Sequence, residues 1–394
     1  MTEYDPLSAE VLDDPGPAHA RLLAECPVHR FEGFEPPFYT LSRYEDVAWA
    51  LKDTTTFSSR YGQGPRFTEE RGMKSDPPMH TFFRRLVSKA FTPRAVAAME
   101  PRIDGIVTDL IDAFVDRGEG DLHHELAYPL PTIVIAEMLG VPAEDRDRFK
   151  AWSDAWVTAM GSTTPELWAD EIAEMRGYIH EHVAERQRRD AAGLALPDDL
   201  VSALVVAEED GERLDAEGIV NVVRQLLVGG NETTTSLLTN ALLRLTEQPG
   251  LLDRIREDPA LAEVAVEESL RFDAPVLGLF RTTTCPVERH GVVIPEGEKV
   301  MLLYSAANRD PAVFEDPDVF SLDRAAHEVR RHLAFGFGIH VCLGAGLARL
   351  EGRIVLQQVA RRLRDLEITA PPQRIEPFML WGKATLPARW TPPS

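Results

Sequence analysis

A mainly α-helical fold with small β regions follows from three features of the sequence. From about Phe82 to Gln248 apolar residues recur at helical spacing, interrupted by Pro129–Pro131, Pro142, Pro165 and Pro197. Strand-like segments are confined to the two ends of the chain, and the last stretch from Glu367 is Pro-rich. No Gly/Ser-rich or Pro-rich linker and no fixed repeat divides the 394 residues, so residues 1–394 read as one domain.

Composition narrows the function classes. A chain 44% hydrophobic and 27% charged is an ordinary folded protein. Its net charge of −22 excludes broad contact with nucleic-acid phosphates. No run of about 18 apolar residues is present, which excludes an ordinary membrane span. The N-terminus carries Asp5, Glu10, Asp13 and Asp14 where a signal peptide would be basic and then apolar. Cys26, Cys285 and Cys342 are too few for a disulfide framework. A cytoplasmic protein is expected.

Taken in order, Phe38–Leu41 reads as a strand and Val47–Leu51 as a short helix. His80 and Arg84 stand one turn apart on the polar face of a helix that carries Phe82, Phe83, Leu86, Val87 and Ala90 on the other side. A long helix is expected over Leu214–Gln248, with Asp215 as its N-cap and Pro249 as its stop. At about 1.5 Å per residue it would span roughly 48 Å. Its centre, Gly229-Gly230-Asn231-Glu232-Thr233-Thr234-Thr235, is poor helix material. That composition means either a kink between packed helices or a groove where a ligand approaches the backbone beside an acid and a hydroxyl.

Asp258-Pro259 is expected to open a helix that carries Glu268 and Arg271 on one face, close enough to pair. Val292–Ile294 and Val300–Tyr304 flank Pro295-Glu296-Gly297 and read as a hairpin. Phe335 to Gly344 forms a loop leading into a helix whose buried face carries Leu347, Leu350, Ile354 and Val359. A thiolate just before a helix meets free N–H groups and the positive end of the dipole, so a lowered Cys342 pKa is expected. A lone cysteine is otherwise an inert core residue.

Phe335, Gly336, Gly338, His340, Cys342 and Gly344 together resemble the haem-binding loop of the cytochromes P-450. The resemblance extends over essentially the whole chain and implies the helical fold of that family, with a long helix over haem. It implies that Cys342 is the thiolate ligand of iron in haem b. It places His80, Arg84, Arg281 and His340 on the haem propionates, with Phe335, Gly336, Gly344, Gly229 and Gly230 also against the cofactor. Glu232 and Thr233 are similar to the family's acid and hydroxyl beside bound dioxygen. Glu268, Arg271 and Arg324 look like its structural charge cluster, and Asn308–Pro311 like the segment between them.

The implied reaction is insertion of one oxygen atom from O2 into a small hydrophobic molecule. Electrons would come from NAD(P)H through a ferredoxin reductase and a ferredoxin, because no such module is seen in the sequence. A monomer is expected, with neither nucleic acid nor membrane as partner. An atypical or peroxide-driven member, or a non-catalytic haem sensor, stays open. The expected pocket walls are residues 60–74, 152–168, 276–280 and 378–381. Arginines 324, 330, 331, 349, 353, 361, 362 and 364, with Arg85 and Lys89, suggest a basic face for an acidic ferredoxin.

Overall fold

Helix packs on helix through most of the molecule, and the sheets are pushed to its edges. The computed structural model describes residues 4–162 and 164–393. The largest core is built where Glu100–Asp112, Glu232–Glu247, Leu261–Phe272 and Ala345–Arg362 press together through Ile106, Leu238, Val266 and Val355. A second core packs Ala216–Gly230 against Pro129–Leu139, Ala169–Ala191 and Leu200–Val206. Asp215 caps the first of these as expected, its side chain accepting from Gly218 N at 2.6 Å.

The expected long helix is broken into two, Ala216–Gly230 and Glu232–Glu247, with Asn231 between them. Asn231 is fully buried, and its Oδ1 accepts from the Thr132 hydroxyl at 3.0 Å. Glycines that pay the largest backbone entropy make the break cheap, and that bond to a neighbouring helix fixes where it falls.

The main sheet has the strand order Val28–Phe31, Phe38–Leu41, Lys299–Leu302, Leu279–Thr283, Phe57–Ser58. Phe38–Leu41 and Lys299–Leu302 run parallel, and the other pairs are antiparallel. A smaller sheet joins Arg364–Ile368, Pro387–Thr391 and Glu119–Asp121, which brings the C-terminal stretch back to the middle of the chain.

The expected hairpin around Pro295-Glu296-Gly297 does not form. Val292–Ile294 pairs instead with Val287–Arg289, through a tight turn in which His290 and Gly291 have φ of 50° and 77°. Thr283 holds the segment that was expected to turn: its hydroxyl donates to Pro295 O at 2.7 Å, and its carbonyl accepts from Gly297 N at 2.8 Å. The helix expected from Asp258 begins at Leu261, because Asp258 closes the preceding helix Leu251–Glu257.

Glu268 and Arg271 are both fully buried and bond to each other twice at 2.8 Å. Arg324 Nε joins Glu268 Oε1 at 3.0 Å, so one carboxylate serves two guanidiniums. The remaining donors reach backbone: Arg271 bonds the carbonyls of Asn308, Pro317 and Val319, and Arg324 those of Glu315, Asp316 and Val319. Removing the carboxylate leaves Arg271 buried without an acid and Arg324 with only Glu328, at 3.5 Å. Glu268→Ala should cost about 3–5 kcal/mol in urea unfolding of the haem-loaded protein. Glu263→Ala, on the same helix and well exposed, should stay within about 0.5 kcal/mol. A loss under about 1 kcal/mol for Glu268→Ala would contradict this account.

Candidate functional site

The two glycines before the cysteine shape its loop. Gly336 and Gly338 have φ of 70° and 74°, a region that side chains resist. A Cβ on Gly338 would also lie 2.9 Å from Leu51 O. The loop closes on itself where Cys342 N donates to Phe335 O at 2.8 Å. Gly344 then starts the helix Ala345–Arg362 with no side-chain cap, so the Gly344 and Ala345 N–H groups face Cys342.

Cys342 opens onto a cavity while protein surrounds it on the other sides. Contrary to expectation, its thiol pKa is raised, because burial outweighs the opposing pull of the Gly344 and Ala345 N–H groups, Arg84 and Arg349. A bound metal cation would be the missing charge that favours the thiolate.

Of the expected site residues, Arg84, Gly229, Gly230, Glu232, Thr233 and Arg281 line this cavity. Phe335, Gly336, His340, Cys342 and Gly344 line it as well. His80 stands behind the wall, its ring 4.3 Å from that of His340. All four expected pocket walls contribute, through Gln63 and Met73, Val157 and Met160, Val276 and Leu279, and Leu380. Thr163 of the second wall lies outside the described residues.

Polar groups around the cavity lack partners within the protein. Both ring nitrogens of His80 and Nε2 of His340 are buried without a hydrogen bond. Burial, with Arg281 and His80 nearby, pushes His340 down to about 3. Arg281 is 2% exposed, bonds only the neighbouring Phe280 carbonyl at 2.8 Å, and has no carboxylate partner among the described residues. Burial lowers its pKa. Arg84 donates to Val341 O at 2.8 Å, next to the cysteine. Two buried carboxylates beside these groups would satisfy them. The residues present therefore fit haem, with its two propionates.

On the opposite side, the Thr233 hydroxyl donates to Gly229 O at 2.7 Å. Its lone pairs are left to face the groove. A Cβ on Gly229 would meet nothing within 4 Å, so this glycine leaves open space. Glu232 is buried, and its carboxylate accepts from Lys150 Nζ at 3.2 Å and Ser236 Oγ at 3.5 Å. Lys150 is 1% exposed, also bonds Asp154, and lies 4.1 Å over the Tyr128 ring. Asp154 reaches the surface with a side chain 41% exposed. Sequence reasoning missed Lys150, whose only signal was a lysine among Phe149, Trp152 and Trp156 on an otherwise apolar stripe.

The basic face differs from expectation. Arg349 pairs with Glu267, Arg353 with Glu100, Arg362 with Asp112, and Arg330 with Glu263 and Glu267. Arg361 and Arg362 end the helix Ala345–Arg362, roughly 25 Å from the cysteine end at about 1.5 Å per residue. What borders Cys342 is an exposed apolar loop, Phe337, Ile339 and Val341, with Lys52 over the Phe337 ring at 5.1 Å. Arg85 and Lys89 share Glu209, each at 3.6 Å.

Comparison with known proteins identifies the family. The cytochrome P450 family profile matches residues 26–389. Cytochrome P450 monooxygenase PikC of Streptomyces venezuelae is 38% identical over 398 residues, covering 98% of this chain and 93% of that protein. Cytochrome P450 107B1 of Saccharopolyspora erythraea is 39% identical over 372 residues, covering 89% of each. The structure of cytochrome P450 CYP109Q5 from Chondromyces apiculatus superposes with a TM-score of 0.88 at 37% identity, over 100% of both chains.

Proposed function

The chain belongs to the cytochrome P450 family and is a haem-thiolate monooxygenase, and we propose that Cys342 is its iron ligand. The single observation that carries this assignment is that Cys342 opens onto the same cavity as His340 with its unpartnered Nε2, the unpaired Arg281 and the broken helix. The family uses haem and O2 on a small organic substrate, with electrons from redox partners. Residues 1–394 work as one haem domain and as a monomer. His80, Arg84, Arg281 and His340 would hold the propionates, while Phe335, Gly336, Gly344, Gly229 and Gly230 would allow the flat cofactor close approach.

Haem, when bound, supplies oxygen activation: one atom of O2 enters the substrate and the other leaves as water, consuming two electrons and two protons. The protein moves the protons. Glu232, Lys150 and Asp154 form a buried-to-surface chain of hydrogen bonds, and Thr233 stands at its cavity end. Glu232 and Thr233 are the residues that act in the groove, and Lys150 positions Glu232. A chain of this kind favours the oxygen-activating reaction over a peroxide-driven one, which needs no proton delivery to O2.

Electrons reach the site from NAD(P)H through a ferredoxin reductase and a small ferredoxin. The ferredoxin docks over Phe337, Ile339 and Val341, where apolar area supplies contact and Lys52, Arg85 and Lys89 supply local positive charge.

Cys342→Ser should abolish the red-shifted Soret band of the ferrous carbon monoxide complex, and Cys26→Ser and Cys285→Ser should retain it. Retention of the band in Cys342→Ser would refute the assignment. Thr233→Ala should keep haem and substrate binding but send electrons to hydrogen peroxide, with product formation slowed by about 10²–10⁴-fold. An unchanged ratio of product to NAD(P)H consumed would remove Thr233 from the proton route. Phe337→Ala and Arg85→Glu should slow ferredoxin-driven reduction, the latter less so at high salt, while peroxide-driven turnover is spared. Reduction rates indifferent to both substitutions would place the docking face elsewhere.

A further inference from the structure

One cation in the cavity has no use in the haem site. Lys74 ends the short helical turn Gly72–Lys74 and lines the cavity wall. Its side chain is half-buried, and desolvation pulls its ammonium below the usual lysine range. Among the described residues it has no hydrogen bond and no ion pair. A partly desolvated ammonium gains from an anionic partner, and in a cavity that partner can be a ligand.

The charges acting on Lys74 place it away from the propionate groups. They are Glu70 and Arg224, the latter on the helix Ala216–Gly230. The charges acting on His340 are Arg281, His80 and Arg84, none of which acts on Lys74. Glu70 cannot neutralise Lys74, because it already pairs with Arg224 at 3.5 Å, with both side chains 9% exposed. Its field also reaches Lys299, whose ammonium is spent on the carbonyls of Tyr61 and Gly62 at 2.6 and 3.0 Å. Three cations thus surround one carboxylate, and only Lys74 faces the cavity unpartnered. Gln225, another lining residue, donates through Nε2 to Arg71 O at 3.0 Å and leaves its buried Oε1 without a partner. The neighbouring walls are apolar, formed by Met73, Val157, Met160 and Val228.

We propose that Lys74 binds the carboxylate of the substrate, which is an amphipathic organic acid with a hydrophobic body. The proposal rests on the monooxygenase reading and adds the substrate class to it. The acid's carboxylate accepts from the Lys74 ammonium, and the apolar remainder lies along the walls toward the iron side. Lys74 is then a specificity-determining residue that takes no part in oxygen activation.

The test is an optical spin-state titration of the ferric holoenzyme. Dodecanoic acid and 4-cyclohexylbenzoic acid are each compared with their methyl esters. The wild type should bind at least one acid about tenfold or more tightly than its ester, the scale of one charge-assisted hydrogen bond. Lys74→Met should bring that acid to the level of the ester, leave ester binding and haem content unchanged, and Lys74→Arg should restore the preference. Equal binding of acid and ester by the wild type, no binding of either pair, or a preference that survives Lys74→Met would overturn the proposal. Loss of haem from both Lys74→Met and Lys74→Gln would also overturn it, by assigning Lys74 to a propionate. Failure of the underlying reading is distinguishable, since it appears as the absence of a thiolate-type carbon monoxide spectrum in the wild type.

Discussion

The buried carboxylate of Glu268 is the contact on which the placement of the site depends. Bound to Arg271 and Arg324, and accepting from Ser321 N at 3.0 Å, it ties the helix Leu261–Phe272 to the irregular chain that follows the main sheet. Arg271 then bonds Asn308 O, and Asn308 Oδ1 accepts from Leu333 N at 2.6 Å. Leu333 is two residues before the start of the cysteine loop. A segment without regular structure therefore enters the site at a determined place because charged side chains hold its carbonyls. Two guanidiniums offer more donors than one carboxylate can accept, and the backbone takes the surplus.

The cavity itself is made by a defect. The helix that crosses the molecule stops at Gly230 and resumes at Glu232, and the break turns a threonine hydroxyl, a carboxylate and an open glycine toward one groove. Continuous helix would have presented regular side-chain ridges there. The cost is local, since both halves remain anchored in separate apolar cores. The molecule is least regular where small groups and polar atoms must stand close to a flat ligand, which is the expected place for local rules to fail.

The distribution of charge within this strongly acidic protein is as informative as its total. Among the described residues most arginines near the C-terminal end of the chain are held by acids, so few are left to make a positive surface. Among the described residues, three cations without an ion pair, Arg84, Arg281 and Lys74, border the cavity. An interior cation in low dielectric acts on a nearby anion far more strongly than a surface one does. The cavity therefore offers positive charge to an anionic group, while the outer face beside Cys342 offers mainly apolar loop.

What the sequence by itself determined was local in origin. The cysteine loop was legible because two glycines, a histidine and a cysteine at fixed spacing precede a periodic helix, and that pattern takes its meaning from its resemblance to the haem-binding loop of the cytochromes P-450. Glu268 and Arg271 were legible because they stand one turn apart on a single helix. The helical class followed from periodicity, and Gly229 to Thr235 announced the defect without saying that it falls at Asn231. Tertiary structure decided the rest. Lys150 meets Glu232 across 82 positions, and Lys299–Leu302 pairs with Phe38–Leu41 across more than 250. It also sent Val292–Ile294 back to Val287–Arg289, paired the arginines, and left Lys74 alone. The reason is physical: a residue's propensity is set by its neighbours in the chain. Its ionisation, its partner and its access to a ligand are set by desolvation and charges that only folding brings near.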